Sequence, residues 1–253
     1  MQNNATNFLN YRISGNGDPV LFLHGFMEDC SMWDHILSEL PVRAIAIDLP
    51  GHGKSTIPEQ QASIQLMAEK VMEIVRLEGL ESAQIIGHSL GGYVALELMK
   101  LNPTFEHATL FHSHPWEDSA SKKEDRNRVI ELGKEKSSYF IREAIPNLFC
   151  DKSLLQTMNH YISIAQKMQP EAIAWAAKAM RDRNDNASFM VNNTSKFTII
   201  QGEFDALIPR ASTYEFCKTS NINYIEIPSC GHMAHEEQFT KTLNAFKTIL
   251  INQ

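Results

Sequence analysis

Short apolar runs separated by longer helical patterns are the feature that most constrains the fold of this 253-residue chain. Near-continuous apolar runs of this length are typical of parallel strands that are covered by helices on both faces. The runs are Val20–Leu23, Arg43–Ile47, Ala83–Ile86, Ala108–Phe111, Phe197–Ile200 and Asn223–Ile227. Apolar residues recur at helical spacing between them, at 63–77, 93–101, 210–218 and 236–250. The alternation predicts an α/β protein with a mostly parallel central sheet and helices on both faces.

One long segment, at about 115–190, interrupts this alternation with helical patterns alone. The patterns predict helices at 126–136, 138–145, 153–168 and 171–181 and no strand. A helical insertion between two strands is typical of a cap over a site, and a helical layer with no site beneath it is the alternative. We therefore expect one domain over 1–253, with a core at about 1–114 and 191–253 and a helical cap at about 115–190. An antiparallel edge strand is expected at 7–14.

Composition narrows the possible classes of function. The net charge of −7 disfavours a nucleic-acid partner, because binding to phosphates needs a basic face and the sequence shows none. No apolar run approaches the length of a membrane-spanning helix, and residues 1–17 contain no apolar signal core. The cysteines form no C-x-x-C pair, so neither a zinc site nor a disulfide framework is expected; they are Cys30, Cys150, Cys217 and Cys230. We expect a cytoplasmic protein with reduced thiols and no partner among nucleic acids or membranes.

The sequence Gly87-His88-Ser89-Leu90-Gly91 fits the pattern G-x-S-x-G. Because a predicted strand precedes it and a predicted helix follows it, Ser89 is expected at a sharp strand-to-helix turn. Such a turn holds the serine in a strained conformation with its hydroxyl pointing away from the sheet. The first amides of the helix, including that of Leu90, lack intrahelical acceptors and can face a developing oxyanion. Ser89 is therefore the predicted nucleophile, and the Leu90 N–H a predicted oxyanion donor.

A base and an orienting acid for Ser89 are expected after the last two strands. A serine hydroxyl is a weak nucleophile until a base takes its proton. His232 follows the last strand in Gly231-His232, and Asp205 follows the strand before it in Gly202-Glu203-Phe204-Asp205. The carboxyl ends of parallel strands meet at one edge of a sheet, where sites in α/β proteins gather. The expected order along the chain is therefore nucleophile, acid and base.

A second oxyanion donor is expected at His24-Gly25-Phe26, directly after the first apolar run. The glycine permits a tight backbone turn, which allows the Phe26 N–H to face the Leu90 N–H. Removing one such donor from a serine protease costs about 2.7–4 kcal/mol of barrier, so a pair of them contributes substantially to catalysis.

Five segments together resemble the α/β-hydrolase fold superfamily, and in particular its small capped serine hydrolases. They are His24–Phe26, Asp48–Ser55, Gly87–Gly92, Gly202–Asp205 and Gly231–His232. The resemblance covers about residues 8–114 and 192–250; the predicted cap is similar only in position and helical character. It implies an α/β-hydrolase fold and, because relatives that dehalogenate or open epoxides carry aspartate in place of Ser89, an acyl-enzyme route. It also implies that the first edge strand of the fold is missing, because the N-terminus is short.

Several residues compete for the predicted roles. Glu203, Glu117 and Asp118 are alternatives for the acid, and His235 is the alternative base. The candidate pocket residues are His24, His88, His114 and Trp116, although His24 and His88 could equally anchor loops. His112 and His114 are expected near the mouth of the site, where metal binding is an alternative, but spacing suggests no third ligand. Arg126, Arg128 and Arg142 could hold a substrate carboxylate, as some lyase and C–C hydrolase relatives require, or lie on a solvated face.

These expectations converge on hydrolysis of a small ester, thioester or lactone through an acyl-enzyme, with no metal and no organic cofactor. The expected partner is a small-molecule substrate, and the protein is expected to be a monomer or homodimer. The alternative function is C–C bond hydrolysis or cofactor-free lyase chemistry by the same residues, which an arginine facing the pocket would favour. Another alternative is a ligand-binding protein whose triad is slow. The natural substrate stays open, because the cap carries no readable motif.

Overall fold

A central β-sheet organises the computed structural model, which describes residues 2–5 and 9–251, and the side chains of 9–133 and 137–250. Within these residues the sheet has eight strands in the order β1-β2-β4-β3-β5-β6-β7-β8. The strands are β1 (Gln2–Ala5), β2 (Asn10–Ser14), β3 (Pro19–Leu23), β4 (Arg43–Ile47), β5 (Gln84–His88), β6 (Ala108–Phe111), β7 (Phe197–Gly202) and β8 (Asn223–Ile227). Strand β2 runs antiparallel to its two neighbours, and the remaining pairs are parallel. The predicted α/β class with a mostly parallel sheet is therefore confirmed.

The N-terminal edge of the sheet differs from the sequence prediction. Strand β1 forms that edge, so the expectation that the first edge strand is missing is wrong. The strand predicted at 7–14 begins at Asn10 and lies inside the sheet between β1 and β4; residues 7 and 8 lie outside the described residues. The sequence of β1, QNNA, has no apolar alternation, so hydrophobic periodicity could not indicate it.

Helices cover the sheet and fill its connections. They are α1 (Asp34–Leu37), α2 (Ile64–Glu78), α3 (Leu90–Leu101), α4 (Ala120–Ala144), α5 (Leu155–Ala165), α6 (Pro170–Arg181), α7 (Ala187–Val191), α8 (Arg210–Ser220), α9 (Ala234–Glu237) and α10 (Phe239–Ile251). Short 3₁₀ turns occur at Cys30–Trp33, Ile145–Leu148 and Thr194–Lys196. Within the described ranges, none of these helices combines the length and apolarity that a membrane crossing needs.

Helix α2 shows how local sequence sets these boundaries. The Ser63 hydroxyl accepts the Leu66 amide at the N-terminus, which satisfies one of the donors that lack an intrahelical acceptor. Gly79 ends the helix in the left-handed conformation at φ +65, a conformation that glycine adopts without a steric penalty. Between these ends, buried residues such as Met67 and Val71 recur at helical spacing and face the sheet.

Two apolar cores pack on opposite faces of the sheet. Leu21 and Leu23 of β3 belong to the core that contains the buried faces of α2 and α3. Val20 and Phe22, the alternate residues of the same strand, belong to the core that contains Trp33 and residues of α1 and α10. Successive side chains of a strand point to opposite faces, and here each face packs against helices. With both faces covered, the carboxyl ends of the strands are the place that remains for a site.

The segment between β6 and β7 contains α4, α5, α6 and α7 and no strand among its described residues. The two helices predicted at 126–136 and 138–145 are one continuous helix, α4, of 25 residues. Helix α4 packs along α6, where Gly133 lies against Ile173. Tertiary packing therefore keeps the helix continuous through a glycine and two serines that weaken its local propensity.

Candidate active site

Ser89 lies at the turn between β5 and α3. Its backbone has φ +49 and ψ −110, a conformation that non-glycine residues adopt rarely and at a cost of about 1–3 kcal/mol. The Ser89 amide donates to the Phe111 carbonyl at 2.9 Å, which fixes the turn against β6. A Cβ atom at Gly91 would lie 2.3 Å from the Leu23 carbonyl oxygen, so the close approach of α3 to β3 requires glycine. The local sequence therefore builds the turn expected for a nucleophile elbow.

Two cavities meet at Ser89. The wider one has a volume of about 490 Å³ and the narrower one about 270 Å³. Residues Ser89, Arg126, Val129 and Leu207 line both of them. The narrower cavity is mostly apolar, whereas the wider one is rich in polar and charged side chains from the start of α4. Ser89 therefore contacts an apolar and a polar compartment at once.

His232 lines the narrower cavity together with Ser89 and is 2% exposed. Its Nδ1 lies 2.8 Å from Asp205 Oδ2. Because a carboxylate only accepts hydrogen bonds, the neutral ring carries its proton on Nδ1 and leaves Nε2 as the acceptor. Within the described residues, no hydrogen bond joins the Ser89 hydroxyl to His232; in many enzymes this contact tightens only when substrate binds.

Asp205 follows β7 and is buried. Its Oδ2 accepts from His232 and from His112, each at 2.8 Å, and its Oδ1 accepts the amides of Leu207 and Ile208. Burial alone would raise the pKa of Asp205, but the electrostatic attraction of His232 and the hydrogen bonds from His112 and His232 hold that pKa well below its usual range. Asp205 is therefore an ionised carboxylate with both oxygens engaged.

The competing acids bind partners away from His232. The Glu203 carboxylate accepts the Ser229 amide, Glu117 pairs with Lys123, and Asp118 pairs with Arg126 and Arg183. The position of Asp205, three residues beyond the end of β7, brings its carboxylate to His232.

His112 has a contact that the sequence patterns did not indicate. It directly follows β6, has φ +51 and is fully buried. Burial lowers the pKa of His112 to about 4, although Asp205 opposes this, so the ring is neutral near pH 7. The ring therefore donates its Nδ1–H to Asp205. Two histidines then hold one carboxylate, and the only advance signal was a histidine at the carboxyl end of a central strand.

One group among the described residues has ligand atoms close enough to hold a metal ion, and it consists of His112, Asp205 and His232. These atoms all lie within 4.8 Å of one another. The Nδ1 atoms of His112 and His232 already contact Asp205, so hydrogen bonding accounts for the grouping. His114, which was also considered for metal binding, lies apart from the group and accepts the Trp116 amide at 3.2 Å.

The amides of Leu90 and Phe26 have no hydrogen-bond acceptor within the part of the chain that the structure describes. Leu90 is the first residue of α3, where the helix dipole places positive charge. Phe26 follows β3 and lines the narrower cavity with Ser89. Both amides are therefore free donors close to Ser89, one at the start of α3 and one in the loop after β3.

The candidate pocket residues separate into two groups. His114 and Trp116 line the wider cavity with Ser89. His24 lies behind the loops: its Nε2 accepts the Leu49 amide at 2.9 Å, and its Nδ1 lies 2.7 Å from the Gly25 carbonyl. His88 is likewise buried, with both ring nitrogens hydrogen-bonded to other loops. His24 and His88 are therefore held as loop anchors.

His235, the alternative base, is enclosed in the core. Its Nε2 lies 2.9 Å from the Tyr161 hydroxyl, and its ring packs among aromatic rings that include Trp33 and Phe111. Burial lowers the pKa of His235 well below its usual value. It lies outside the residues that line the cavity containing Ser89 and His232.

Of the three arginines considered as carboxylate ligands, Arg126 alone lines the cavities at Ser89. Its Nε donates to Asp118 Oδ2 at 3.2 Å. Arg128 and Arg142 are exposed, and Arg128 pairs with Asp125. Helix α4 therefore presents Arg126 to the cavities at Ser89 and leaves Arg128 and Arg142 exposed to solvent.

The chain is similar over most of its length to several known proteins. The model of the alpha/beta hydrolase family matches residues 20–245. The AB hydrolase superfamily protein YisY of Bacillus subtilis is 25% identical over 247 residues, 90% of this chain and 89% of that protein. The 2-(acetamidomethylene)succinate hydrolase of Mesorhizobium japonicum is 23% identical, covering 96% and 91%. The structure of a thermophilic esterase from Thermogutta terrifontis, with malate bound, has a TM-score of 0.89 at 28% identity, covering 96% and 92%.

Other curated relatives match over only 34–36% of this chain and 24–31% of their own length. The whole-length similarities to an esterase and to a hydrolase support a hydrolase activity. The matched range also contains the strained serine turn, the buried carboxylate and the histidine that it contacts. With 20–245 of its 253 residues matched, the chain belongs to the alpha/beta hydrolase family.

Proposed function

We propose that this protein hydrolyses a small carboxylic ester, thioester or lactone through an acyl-enzyme on Ser89. The observation that carries the proposal is the placement of a strained serine on the same cavity as a histidine whose Nδ1 contacts an ionised aspartate. A serine with these neighbours needs no further group to become a nucleophile.

In the proposed reaction, the Ser89 hydroxyl attacks the substrate carbonyl while His232 Nε2 takes its proton. Asp205 stabilises the resulting imidazolium and keeps the ring oriented. The free amides of Phe26 and Leu90 donate to the oxyanion of the tetrahedral intermediate. His232 then passes its proton to the leaving group and activates the water that releases the acid.

A fluorophosphonate probe tests the proposal directly. We expect it to label the protein covalently, with the adduct on the tryptic peptide that contains Ser89, because the probe reacts with activated serines. The narrow cavity of about 270 Å³ also predicts faster hydrolysis of p-nitrophenyl acetate and butyrate than of the palmitate. Absence of labelling in folded protein would contradict the activated nucleophile. Labelling without turnover of any ester, thioester or lactone would instead favour the second candidate function.

That second candidate is C–C bond hydrolysis, or a cofactor-free lyase reaction, of an acidic substrate. One observation favours the acidic substrate that some such reactions require: Arg126 lines both cavities and donates through Nε alone within the described residues. A guanidinium held in this way keeps its terminal NH₂ groups for a carboxylate. The esterase with malate bound and the succinate-derivative hydrolase are relatives associated with carboxylate-bearing molecules. An acidic substrate is compatible with either cleavage reaction.

Replacing Arg126 with glutamine is expected to lower kcat/KM for the p-nitrophenyl monoester of succinic acid by about 10- to 100-fold, and to leave the butyrate ester within about threefold. The estimate follows from losing a charge-assisted hydrogen bond worth about 1.5–3 kcal/mol. Arg128→Gln is the matched control, because Arg128 lies on the same helix but pairs with Asp125 in solvent. Equal losses for both esters in Arg126→Gln would contradict a carboxylate contact.

A further inference from the structure

A buried carboxylate and a buried imidazole contact each other directly behind the nucleophile. Glu28 and His88 are 1% and 0% exposed, and Glu28 Oε2 lies 2.9 Å from His88 Nδ1. The triad chemistry uses neither group. Removing a charged pair from water is costly, so such a pair is weak support for stability and needs another explanation.

The hydrogen bonds of His88 define its protonation. Its second ring nitrogen, Nε2, lies 2.9 Å from the carbonyl oxygen of His232. A backbone carbonyl can only accept, and an ionised carboxylate can only accept. With Glu28 ionised, each ring nitrogen of His88 needs its own proton, so His88 is an imidazolium and Glu28 its counterion.

The surroundings of the pair agree with this assignment. Burial alone would raise the pKa of Glu28, but the attraction of His88, with smaller contributions from His235 and His24, lowers it to about 2. Burial alone would lower the pKa of His88, yet Glu28, together with the His232 carbonyl, raises it. The rings of His112, His232 and His235 also face His88, and the Asp205 carboxylate adds attraction.

The pair connects three loops of the site. His88 precedes Ser89 in the nucleophile turn and holds the carbonyl of the base His232. Glu28 Oε2 also accepts the Gly25 amide at 2.5 Å, in the loop that carries Phe26. A Cβ atom at Gly25 would lie 2.6 Å from Glu28 Oε2 and 2.7 Å from His88 Nδ1, so the loop packs directly onto the pair.

We propose that Glu28 and His88 form a permanent buried ion pair that positions the base loop and the oxyanion loop against the nucleophile. The inference rests on the proposed function only for its kinetic consequence; the ionisation of His88 follows from its two hydrogen-bond acceptors together with the low pKa of Glu28. Both are positioning residues, because they act through His232 and through the loop of Phe26 without touching the reacting carbonyl.

The substitution Glu28→Gln keeps the size of the side chain and removes its charge, so it tests the ion pair without opening a cavity. One oxygen of Glu28 serves both the Gly25 amide and His88 Nδ1, so an amide NH₂ there would face the Gly25 donor, and an amide oxygen would lack the countercharge for His88. We expect Glu28→Gln to lower kcat by about 10- to 100-fold with KM within about threefold, a loss typical of misplaced catalytic groups. Rates are normalised by fluorophosphonate titration of competent sites.

Glu97→Gln is the matched control. Glu97 is also a buried glutamate, but it binds Lys100 and Asn186 away from the catalytic loops. We expect it to lower the melting temperature while the rate per titrated site stays within about twofold of wild type. Equal rates per titrated site in Glu28→Gln and Glu97→Gln would show that the contact between Glu28 and His88 is only structural, and would overturn the positioning role.

Nitrogen NMR of histidine-labelled protein tests the ion pair without any substrate. We expect His88, assigned by its loss in His88→Asn, to keep both ring nitrogens protonated on either side of the ordinary histidine pKa of about 6.5. A neutral tautomer at pH 7 would overturn the ion pair. Because this readout needs no turnover, failure of the proposed function and failure of the pair are distinguishable.

Discussion

Replacing Ser89 with alanine is expected to lower kcat for any ester that the wild type hydrolyses by about 10⁶-fold, and to abolish fluorophosphonate labelling. The estimate comes from a serine protease in which removal of the nucleophile costs about as much as removal of the whole triad. The residual rate would come from the free amides of Phe26 and Leu90 and from binding in the two cavities. Single-turnover assays with p-nitrophenyl esters measure the loss.

The control for this substitution is Ser163→Ala, an exposed serine on α5 outside both cavities, which should keep wild-type labelling and turnover. The strain at Ser89 makes a second result informative. Alanine relieves no backbone strain, because it also has a Cβ. The free energy of unfolding of Ser89→Ala should therefore lie within about 0.5 kcal/mol of the wild-type value. A folded Ser89→Ala protein that keeps more than a hundredth of the rate would require another nucleophile.

The sequence predicted the sheet better from β3 onwards than at its N-terminal edge. The predicted runs match the six strands β3 to β8. Strands β3 to β7 are largely buried and therefore read as continuous apolar segments, whereas β8 is a half-buried edge strand in which Tyr224, Ile225 and Ile227 still indicate a strand. Strand β1 pairs on one side only and has the polar sequence QNNA, so backbone pairing with β2 defines it. Helix α4 reads as two helices in sequence because the contact of Gly133 with Ile173, forty residues away, is absent from any local pattern.

Some residues of the candidate site could be predicted from the sequence, and others could not. Ser89 could be singled out because its local pattern and its structural context coincide. The contact between Asp205 and His232 could be predicted from their places after successive strands, since the topology brings those strand ends together. The contacts of Glu28 and His112 could not be predicted in this way, because their partners lie 60 and 93 residues away in the sequence. A buried polar contact between distant loops leaves no periodic trace in the sequence.

His232→Ala is expected to lower kcat by about 10⁶-fold, comparable to loss of the nucleophile, because the two groups act as a unit. His235→Ala is expected to keep kcat within about threefold of wild type per titrated site. The two histidines lie three residues apart, but only His232 lines the cavity with Ser89 and contacts Asp205. His235 instead contacts Tyr161 and packs against Trp33.

The two variants should therefore lose different properties. His232→Ala should lose activity and keep its stability, whereas His235→Ala should lose stability and keep its activity. His235 is 2% exposed among aromatic rings, so its truncation leaves a cavity that costs about 2–4 kcal/mol, and His235→Asn provides a smaller change if the alanine variant does not fold. In His232→Ala, Asp205 loses one of its two imidazole donors but keeps His112 and two backbone amides, so the carboxylate stays satisfied. Thermal melts and rates per folded molecule measure both quantities. Full activity in His232→Ala with none in folded His235→Asn would reverse the assignment of the base, since only a group that reaches Ser89 can take its proton.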